Sequence, residues 1–320
     1  MTPDLELHIP VMEAETAKYL QPDRSGIVLV DATLGYGGHS AVLTQSFGES
    51  DRLIGIDRDA QAIAHCQKKF AGAAFQVSLH QRGFEELEDV LNEEEVQRID
   101  RCLFDLGFSS PQVDQGERGF SFMRDGPLDM RMDQRQAISA KDVINQWSEK
   151  ELADLFKNYG EERFSRKIAK AIVRRRQTSD IERTQELADI IIQAIPARYQ
   201  HQEGIHPATR VFQSLRIIVN NEMESLRTGL ASALHHLAPG GRVAVLSYHS
   251  LEHRIVKEQF RTYCRPVIHP PGIPVTGRED PERGVILTRK AVRPCAAEQS
   301  RNPRSRSAQL RVLESCMLEN

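Results

Sequence analysis

The chain has 320 residues, of which 40% are hydrophobic and 27% are charged, and its formal net charge at pH 7 is −3. This composition permits one large domain or two modest ones. No apolar run approaches the roughly 20 residues that a membrane-spanning helix needs, and the first ten residues lack the basic and apolar regions of a secretion signal. The five scattered cysteines have neither zinc-binding nor redox spacing. We therefore expect free thiols, no metal site and a cytoplasmic protein.

The first third of the chain alternates short apolar runs with helix-like stretches. The runs cover residues 27–30, 53–56, 74–79 and 102–106, and the helix-like stretches cover 40–47, 60–70 and 84–91. This alternation predicts βαβ units and a parallel sheet, so the fold class is α/β. Asp31, Asp57 and Asp105 each stand at the end of a predicted strand. Because ligands bind beyond the carboxyl ends of parallel strands, these acids are expected at the binding edge.

A long loop and a helical region then interrupt the alternation. The loop covers residues 107–133, and amphipathic patterns follow at 141–147, 149–159, 161–176 and 184–195. After a break at 196–207 we expect one long helix to about residue 237, a turn at 239–241 and a fifth strand at 242–247. The prediction is a sheet domain in two parts, residues 1–136 and 213–320, with an inserted helical substrate-recognition domain at 137–212.

The glycine-rich loop after the first predicted strand indicates a nucleotide-like cofactor. It contains Gly37 and Gly38, but Ser40 stands at the third glycine position of the dinucleotide motif. Asp57 follows Gly38 by 19 residues, the spacing of an acid that binds an adenosine ribose. Acids at the ends of adjacent strands favour the cationic S-adenosylmethionine over a pyrophosphate. A nicotinamide-dependent oxidoreductase remains the alternative.

The segment after the fourth predicted strand carries acceptors suited to an amine substrate. Methyl transfer from a sulfonium is an in-line displacement that depends mainly on positioning. An exocyclic base amine needs an oxygen acceptor to hold its N–H groups. Asp105 and Ser109 are the candidate catalytic residues, although the double proline found in amino-methyltransferases of DNA is lacking.

Several long motifs in order resemble one family, the MraW (RsmH) cytidine N4-methyltransferases of small-subunit ribosomal RNA. The motifs are DLGFSSPQ at 105–112, ERGFSFMRDGPLDMRMD at 117–133, YGEERF at 159–164, HPATR at 206–210, SYHSLE at 247–252 and NPRSRS at 302–307. The resemblance runs from about residue 8 to residue 313. It is weak at 264–290, and His253 stands where the family often has Asp.

The resemblance implies a class I S-adenosylmethionine-dependent methyltransferase (Rossmann-like) fold with a helical insertion. The cofactor-binding residues that it implies are Gly37, Gly38, His39, Asp57, Phe84, Asp105 and Gln112. It further implies a target cytidine in the decoding region of 16S rRNA, so the expected partner is that RNA or the small ribosomal subunit. We expect no DNA or membrane partner. An RNA-binding ribosome-assembly factor without essential catalysis is the third hypothesis.

The distribution of charge and aromatic residues adds three expectations. Residues 163–176 contain seven basic side chains and no acid, from which we predict an RNA-binding surface, with a merely solvated helix face as the alternative. Trp147 is predicted to be a core residue. Phe120 and Phe122 are also predicted to be core residues, with stacking on an extruded base as the alternative. His249 follows the fifth predicted strand and is expected at the rim of the target pocket.

Overall fold

The computed structural model describes residues 10–107, 116–200, 206–265 and 283–316. The chain forms two compact units, one comprising Met1–Gly107 with Met223–Asn320 and the other comprising Phe108–Glu222. We call them the sheet unit and the helical unit. Within the described ranges, no helix combines the length and the apolar character needed to cross a bilayer.

The sheet unit is built on seven strands. They are β1 (Val28–Asp31), β2 (Arg52–Asp57), β3 (Gln76–Gln81), β4 (Ile99–Asp105), β5 (Leu237–Ser247), β6 (Gly284–Ile286) and β7 (Gln309–Ser315). Their order is β3-β2-β1-β4-β5-β7-β6. The first five strands pair in parallel, whereas β7 runs antiparallel to β5 and β6. The order reverses between β1 and β4, as expected for the predicted Rossmann-like class I fold.

Helices cover both faces of this sheet. Those of the sheet unit are α1 (Glu13–Leu20), α2 (Gly38–Leu43), α3 (Ala60–Lys69), α4 (Leu87–Glu93), α10 (Glu222–His236), α11 (Ser250–Tyr263) and α12 (Ala296–Arg301). Alternate residues of the central strands enter two separate cores. Val30, Ile54 and Phe104 pack on one face, and Leu29 and Leu53 pack on the other. Burial on both faces explains why these strands read as continuous apolar runs.

The helical unit contains α5 (Ala140–Gln146), α6 (Glu149–Asn158), α7 (Ser165–Arg176), α8 (Thr184–Ala194) and α9 (Thr209–Val219). The side chains of Ser139 and Ser148 cap α5 and α6 as members of capping boxes. The apolar stripes of the five helices form one core. Phe120, Phe122 and Trp147 pack against this core, which confirms their prediction as core residues.

The boundaries of the two units differ from the predicted boundaries at residues 136 and 212. Leu128 and Met130, from the predicted loop, are buried in the core of the helical unit. The Leu128 N–H donates to the Glu182 carbonyl at 2.8 Å. At the other end, Leu215 and Val219 of α9 also enter this core. Packing therefore joins most of the loop and all of α9 to the helical unit.

The prediction of one long helix after residue 207 is wrong, because α9 and α10 are separate. Asn221 adopts a left-handed conformation with φ 49°, which ends α9 and which asparagine tolerates better than most residues. The Asn220 side chain donates to the carbonyls of Met130 (2.8 Å) and Arg216 (2.9 Å) and accepts from the Met132 N–H (2.7 Å). These bonds tie the end of α9 to the segment that contains Met130.

The fifth strand begins five residues earlier than predicted. Leu237 already pairs with Ile99, and the register shifts before Arg101 pairs with Arg242. Gly240, with φ 71°, lies in this irregular part. The predicted turn at 239–241 is thus an irregularity within the strand.

We expect Asn220→Ala to lower the free energy of unfolding of the helical unit by about 2–4 kcal/mol, because the Met130 carbonyl and the Met132 N–H lose their partner. Denaturation followed by the fluorescence of Trp147, the single tryptophan, reports on this unit. Asn221→Gly is the control, since glycine accepts the left-handed φ and the effect should stay within about 0.5 kcal/mol. Equal losses in both variants would contradict the role given to the Asn220 side chain.

Candidate active site

Three aspartates meet at the carboxyl edge of the sheet. Asp31 at the end of β1 pairs with Gly55 of β2 on one side and with Leu103 of β4 on the other. Asp57 and Asp105 therefore extend two residues beyond Asp31 on the flanking strands. The strand order reverses here, so this edge has the geometry of a ligand-binding crevice.

The loop between β1 and α2 needs glycine at its turning point. Gly37 has φ 67° and precedes the first residue of α2. A Cβ on Gly37 would lie 3.0 Å from both the Cys66 sulfur and a ring carbon of Phe70. The Lys69 ammonium donates to the Gly37 carbonyl at 2.7 Å. The loop thus lies directly on α3, with Gly37 as its point of closest approach.

Asp57 is held by backbone donors. Its two carboxylate oxygens accept the N–H groups of Gly35 and Asp59, each at 2.8 Å. Burial nevertheless raises the pKa of Asp57 to about 6, against the lowering effect of these two bonds. The side chain is partly exposed, so its carboxylate has room for further donors.

Asp31, in contrast, is used inside the protein. Its side chain is 1% exposed, and its Oδ2 accepts the Ser40 hydroxyl at 2.6 Å. Burial raises the pKa of this carboxyl, and the Ser40 bond only partly offsets that effect. Ser40, at the third glycine position of the dinucleotide motif, therefore has a structural role: its hydroxyl supports the Asp31 carboxylate.

Asp105 lies between β1, α2 and the segment that follows β5. Its backbone N–H donates to the Thr33 hydroxyl at 2.6 Å. Its Oδ1 accepts the Tyr248 hydroxyl at 2.6 Å, and its Oδ2 lies 3.5 Å from His39 Nε2. The Asp105 side chain is 21% exposed, so it can reach a ligand at this edge.

His39 is buried beside Asp105, and Gly37 rather than His39 occupies the position before α2. Its Nε2 atom lies 3.5 Å from Asp105 Oδ2, a long contact between a buried ring nitrogen and a carboxylate. Burial lowers the pKa of His39, but Asp105 and Asp31 raise it by more, so the net shift is upward.

The remaining predicted residues have different surroundings. Phe84 opens a short 3₁₀ helix, and its ring contacts Phe104 edge-on at 5.6 Å and packs against the core of the sheet unit. Ser109 and Gln112 lie outside the described residues. His249 is the residue before α11, where it forms a capping box with Glu252, so the structure gives this side chain a capping position.

Three residues of this edge were missed by the sequence analysis: Thr33, Ser40 and Tyr248. Tyr248 directly follows β5, which pairs with β4. The rule that identified Asp31, Asp57 and Asp105 applies to this strand end as well. Applied to β5, this rule could have predicted that the Tyr248 phenol lies beside Asp105.

The residues of this edge fit S-adenosylmethionine. Asp57 is a partly exposed carboxylate whose pKa is raised by burial, and further donors such as ribose hydroxyls would stabilise its charged form. His39 offers a buried ring nitrogen, Nε2, 3.5 Å from Asp105 Oδ2. The partly exposed carboxylate of Asp105 has a charge that suits the cationic part of the cofactor.

We expect the affinity for S-adenosylmethionine to fall as pH drops below about 6, by up to tenfold per pH unit, because Asp57 must be ionised to accept two ribose hydroxyls. Calorimetry in buffers of different ionisation enthalpy should show proton release on binding near pH 6.

Asp57→Asn is the control that isolates the contribution of Asp57 to the pH dependence, because the other titrating groups are the same in both proteins. These groups are His39, Asp31 and those of the cofactor itself. It should bind roughly 10–100-fold more weakly at pH 7.5, the loss of about 1.5–3 kcal/mol typical of bonds to a charged group. Its pH dependence should also be flatter. Identical pH dependence in both proteins would contradict the assignment.

Comparison with known proteins places this geometry in a family. Residues 6–316 match the model of the MraW methylase family. Three relatives carry the name ribosomal RNA small subunit methyltransferase H. The protein of Syntrophotalea carbinolica is 42% identical over 98% of this chain and 99% of its own length. Those of Symbiobacterium thermophilum and Geotalea uraniireducens are 44% and 46% identical, each over 96% of this chain and over 96% and 98% of their own lengths.

The match spans both units and includes Asp57, Asp105 and the glycine loop. The chain therefore belongs to the MraW methylase family of S-adenosylmethionine-dependent methyltransferases.

Proposed function

We propose that this protein transfers a methyl group from S-adenosylmethionine to the exocyclic N4 amine of a cytidine in the decoding region of 16S rRNA, in the cytoplasm. The observation that carries the chemistry is the Asp105 carboxylate, which ends β4 and remains 21% exposed. The names of the relatives support small-subunit ribosomal RNA as the substrate.

Asp105 supplies the acceptor that an exocyclic amine needs. The nitrogen lone pair of cytosine N4 is delocalised into the ring, so the amine is a poor nucleophile. When Asp105 accepts a hydrogen bond from one N–H, the other face of the nitrogen can turn toward the methyl donor. Fixing the reacting groups in this way supplies most of what an in-line transfer requires.

The site also handles the charge that moves during the reaction. Bound S-adenosylmethionine supplies an electrophilic methyl group on a sulfonium sulfur. As the amine nitrogen forms its new bond to carbon, it becomes cationic and must release a proton. In this proposal Asp105 receives that proton, while Asp57 binds the ribose of the cofactor. Ser109 is the second predicted acceptor.

The two alternative functions have less support. Membership of a methylase family favours methyl transfer over hydride transfer, and the acids at the sheet edge would repel a pyrophosphate. An assembly factor without essential catalysis would not need an exposed acceptor such as Asp105.

We expect 16S rRNA from cells that lack this gene to lose N4-methylation at one cytidine, as measured by nucleoside analysis. The wild-type gene should restore the mark, whereas Asp105→Ala should not, because its methylation rate should fall at least about tenfold, or about 1.4 kcal/mol.

Asp89→Ala, an exposed change on α4, is the control and should restore the mark. Unchanged nucleosides in the deletion strain would overturn the proposed substrate. A purified Asp105→Ala protein with nearly wild-type activity would overturn the role of Asp105. Tight NADH binding without binding of S-adenosylmethionine would favour the oxidoreductase.

We also propose that the helical unit recognises the RNA through one face of α7. Ile168, Ala169 and Ile172 of α7 are buried, which leaves the opposite side exposed. We call the exposed cations Arg166, Lys167, Lys170 and Arg174 the basic face. Their spacing of three and four residues aligns them along the helix, as a row of phosphate contacts requires.

Two of the three consecutive arginines at the end of α7 are engaged within the protein. Arg175 pairs with Glu186 at 2.5 Å, and Arg176 donates to the Ile144 carbonyl at 2.5 Å. Arg174 is exposed, as predicted for at least one of them. Before α7, the exposed Arg163 stacks on Tyr199 at 4.4 Å and on Phe164 at 4.9 Å, so basic and aromatic groups adjoin the basic face in sequence.

We expect the double variant Lys170→Gln/Arg174→Gln to bind RNA more weakly. The slope of log affinity against log salt concentration should become shallower by about 1.4, or about 0.7 for each lost phosphate contact. The measurement is RNA affinity against salt concentration. The matched control is Lys150→Gln/Lys157→Gln, which removes two exposed charges from α6, where Glu149, Glu151 and Asp154 balance them. Cofactor affinity should not change in either variant. Equal salt slopes in all three proteins would mean that the basic face is only solvated.

A further inference from the structure

The Tyr248 phenol contacts the Asp105 carboxylate from the end of the neighbouring strand. The hydroxyl donates to Asp105 Oδ1 at 2.6 Å, a short distance typical of a bond to a charged oxygen. Burial and the neighbouring Asp105 raise the pKa of Tyr248 well above its ordinary value. The phenol therefore stays protonated at neutral pH and acts as the donor in this pair.

The backbone of Tyr248 is itself held in place. Its N–H donates to Glu252 Oε2 at 2.7 Å, and Glu252 is 2% exposed within the first turn of α11. The ring lies against Gly107, where a Cβ would be 3.6 Å from ring carbon Cδ2 and where φ is 105°. Glycine at 107 lets the chain turn away from Asp105 in a conformation that other residues rarely adopt. The phenol has little freedom to move.

This arrangement leaves the two oxygens of Asp105 in different states. Oδ1 is occupied by the Tyr248 hydroxyl at 2.6 Å, whereas Oδ2 has only the longer contact of 3.5 Å to His39 Nε2 among the described residues. The Thr33 hydroxyl holds the backbone of Asp105 at 2.6 Å. Backbone and side chain are thus both fixed, and Oδ2 is the less engaged of the two carboxylate oxygens.

We propose that Tyr248 is a positioning residue for methyl transfer: its hydroxyl fixes the Asp105 carboxylate so that Oδ2 receives the amine of the target base. This inference rests on the proposed function, since it assigns Oδ2 to the substrate amine. A carboxylate that can rotate would present its acceptor in the reactive direction for only part of the time. Small losses of alignment reduce the rate of an in-line transfer strongly.

The test is steady-state methylation by Tyr248→Phe, which keeps the ring against Gly107 and removes only the hydroxyl. We expect kcat to fall at least about tenfold, while KM for RNA and the Kd for S-adenosylmethionine stay within about twofold of the wild-type values. Tyr263→Phe is the matched control. It loses a hydroxyl contact to Ser315 at 3.1 Å near the β6 edge of the sheet, and its kcat should not change.

Tyr248→Leu separates the hydroxyl from the ring. If Tyr248→Phe keeps the wild-type kcat while Tyr248→Leu is inactive, the ring matters only for packing and the proposal is overturned. A Tyr248→Phe protein that loses cofactor affinity and kcat together would also overturn it. Rates are compared on whichever nucleoside the wild-type enzyme methylates. An unexpected product would therefore refute the proposed target and leave the test of Tyr248 intact.

Discussion

Three aspartates lie at one edge of a parallel sheet, and their need for hydrogen-bond donors determines how the site is arranged. Parallel pairing of β2, β1 and β4 brings Asp57, Asp31 and Asp105 together, and burial disfavours the charged forms of Asp31 and Asp57. Each acid therefore needs donors. Asp31 has the Ser40 hydroxyl, Asp57 has two backbone N–H groups, and Asp105 has Tyr248. Gly37, directly before α2, and Gly107, two residues after Asp105, both adopt a positive φ near this edge.

The three carboxylates differ in their burial and in the hydrogen bonds that they accept within the protein, and this difference separates their roles. Asp31 is buried and bonded within the protein, so its carboxylate supports the loop. Asp57 and Asp105 are partly exposed, which leaves acceptor capacity for a ligand. A buried anion that lacks donors is unfavourable in the free protein. The same property favours a ligand that brings hydroxyl, amine or cationic groups to this edge.

The helical unit combines a specific core with a polar outer surface. Buried residues of α7 recur with the helical period, and the cations at 166, 170 and 174 therefore point to the other side. The Asn220 side chain joins the end of α9 to the segment around Met130. That segment carries one of the longest motifs of the family, so at least part of its distinctive sequence serves the core of this unit.

The sequence by itself determined the parallel sheet, most of the helices and the acids at the strand ends, because these depend on local periodicity and on strand order. Its motifs also identified the family. The tertiary structure decided what packing and contacts between distant residues control: the limits of the helical unit, the break at Asn221, the capping position of His249 and the internal partners of Arg175 and Arg176. It also paired Tyr248 with Asp105, which are 143 residues apart in the chain. Such a contact depends on which strands become neighbours, and that order follows from how the whole sheet buries its two faces.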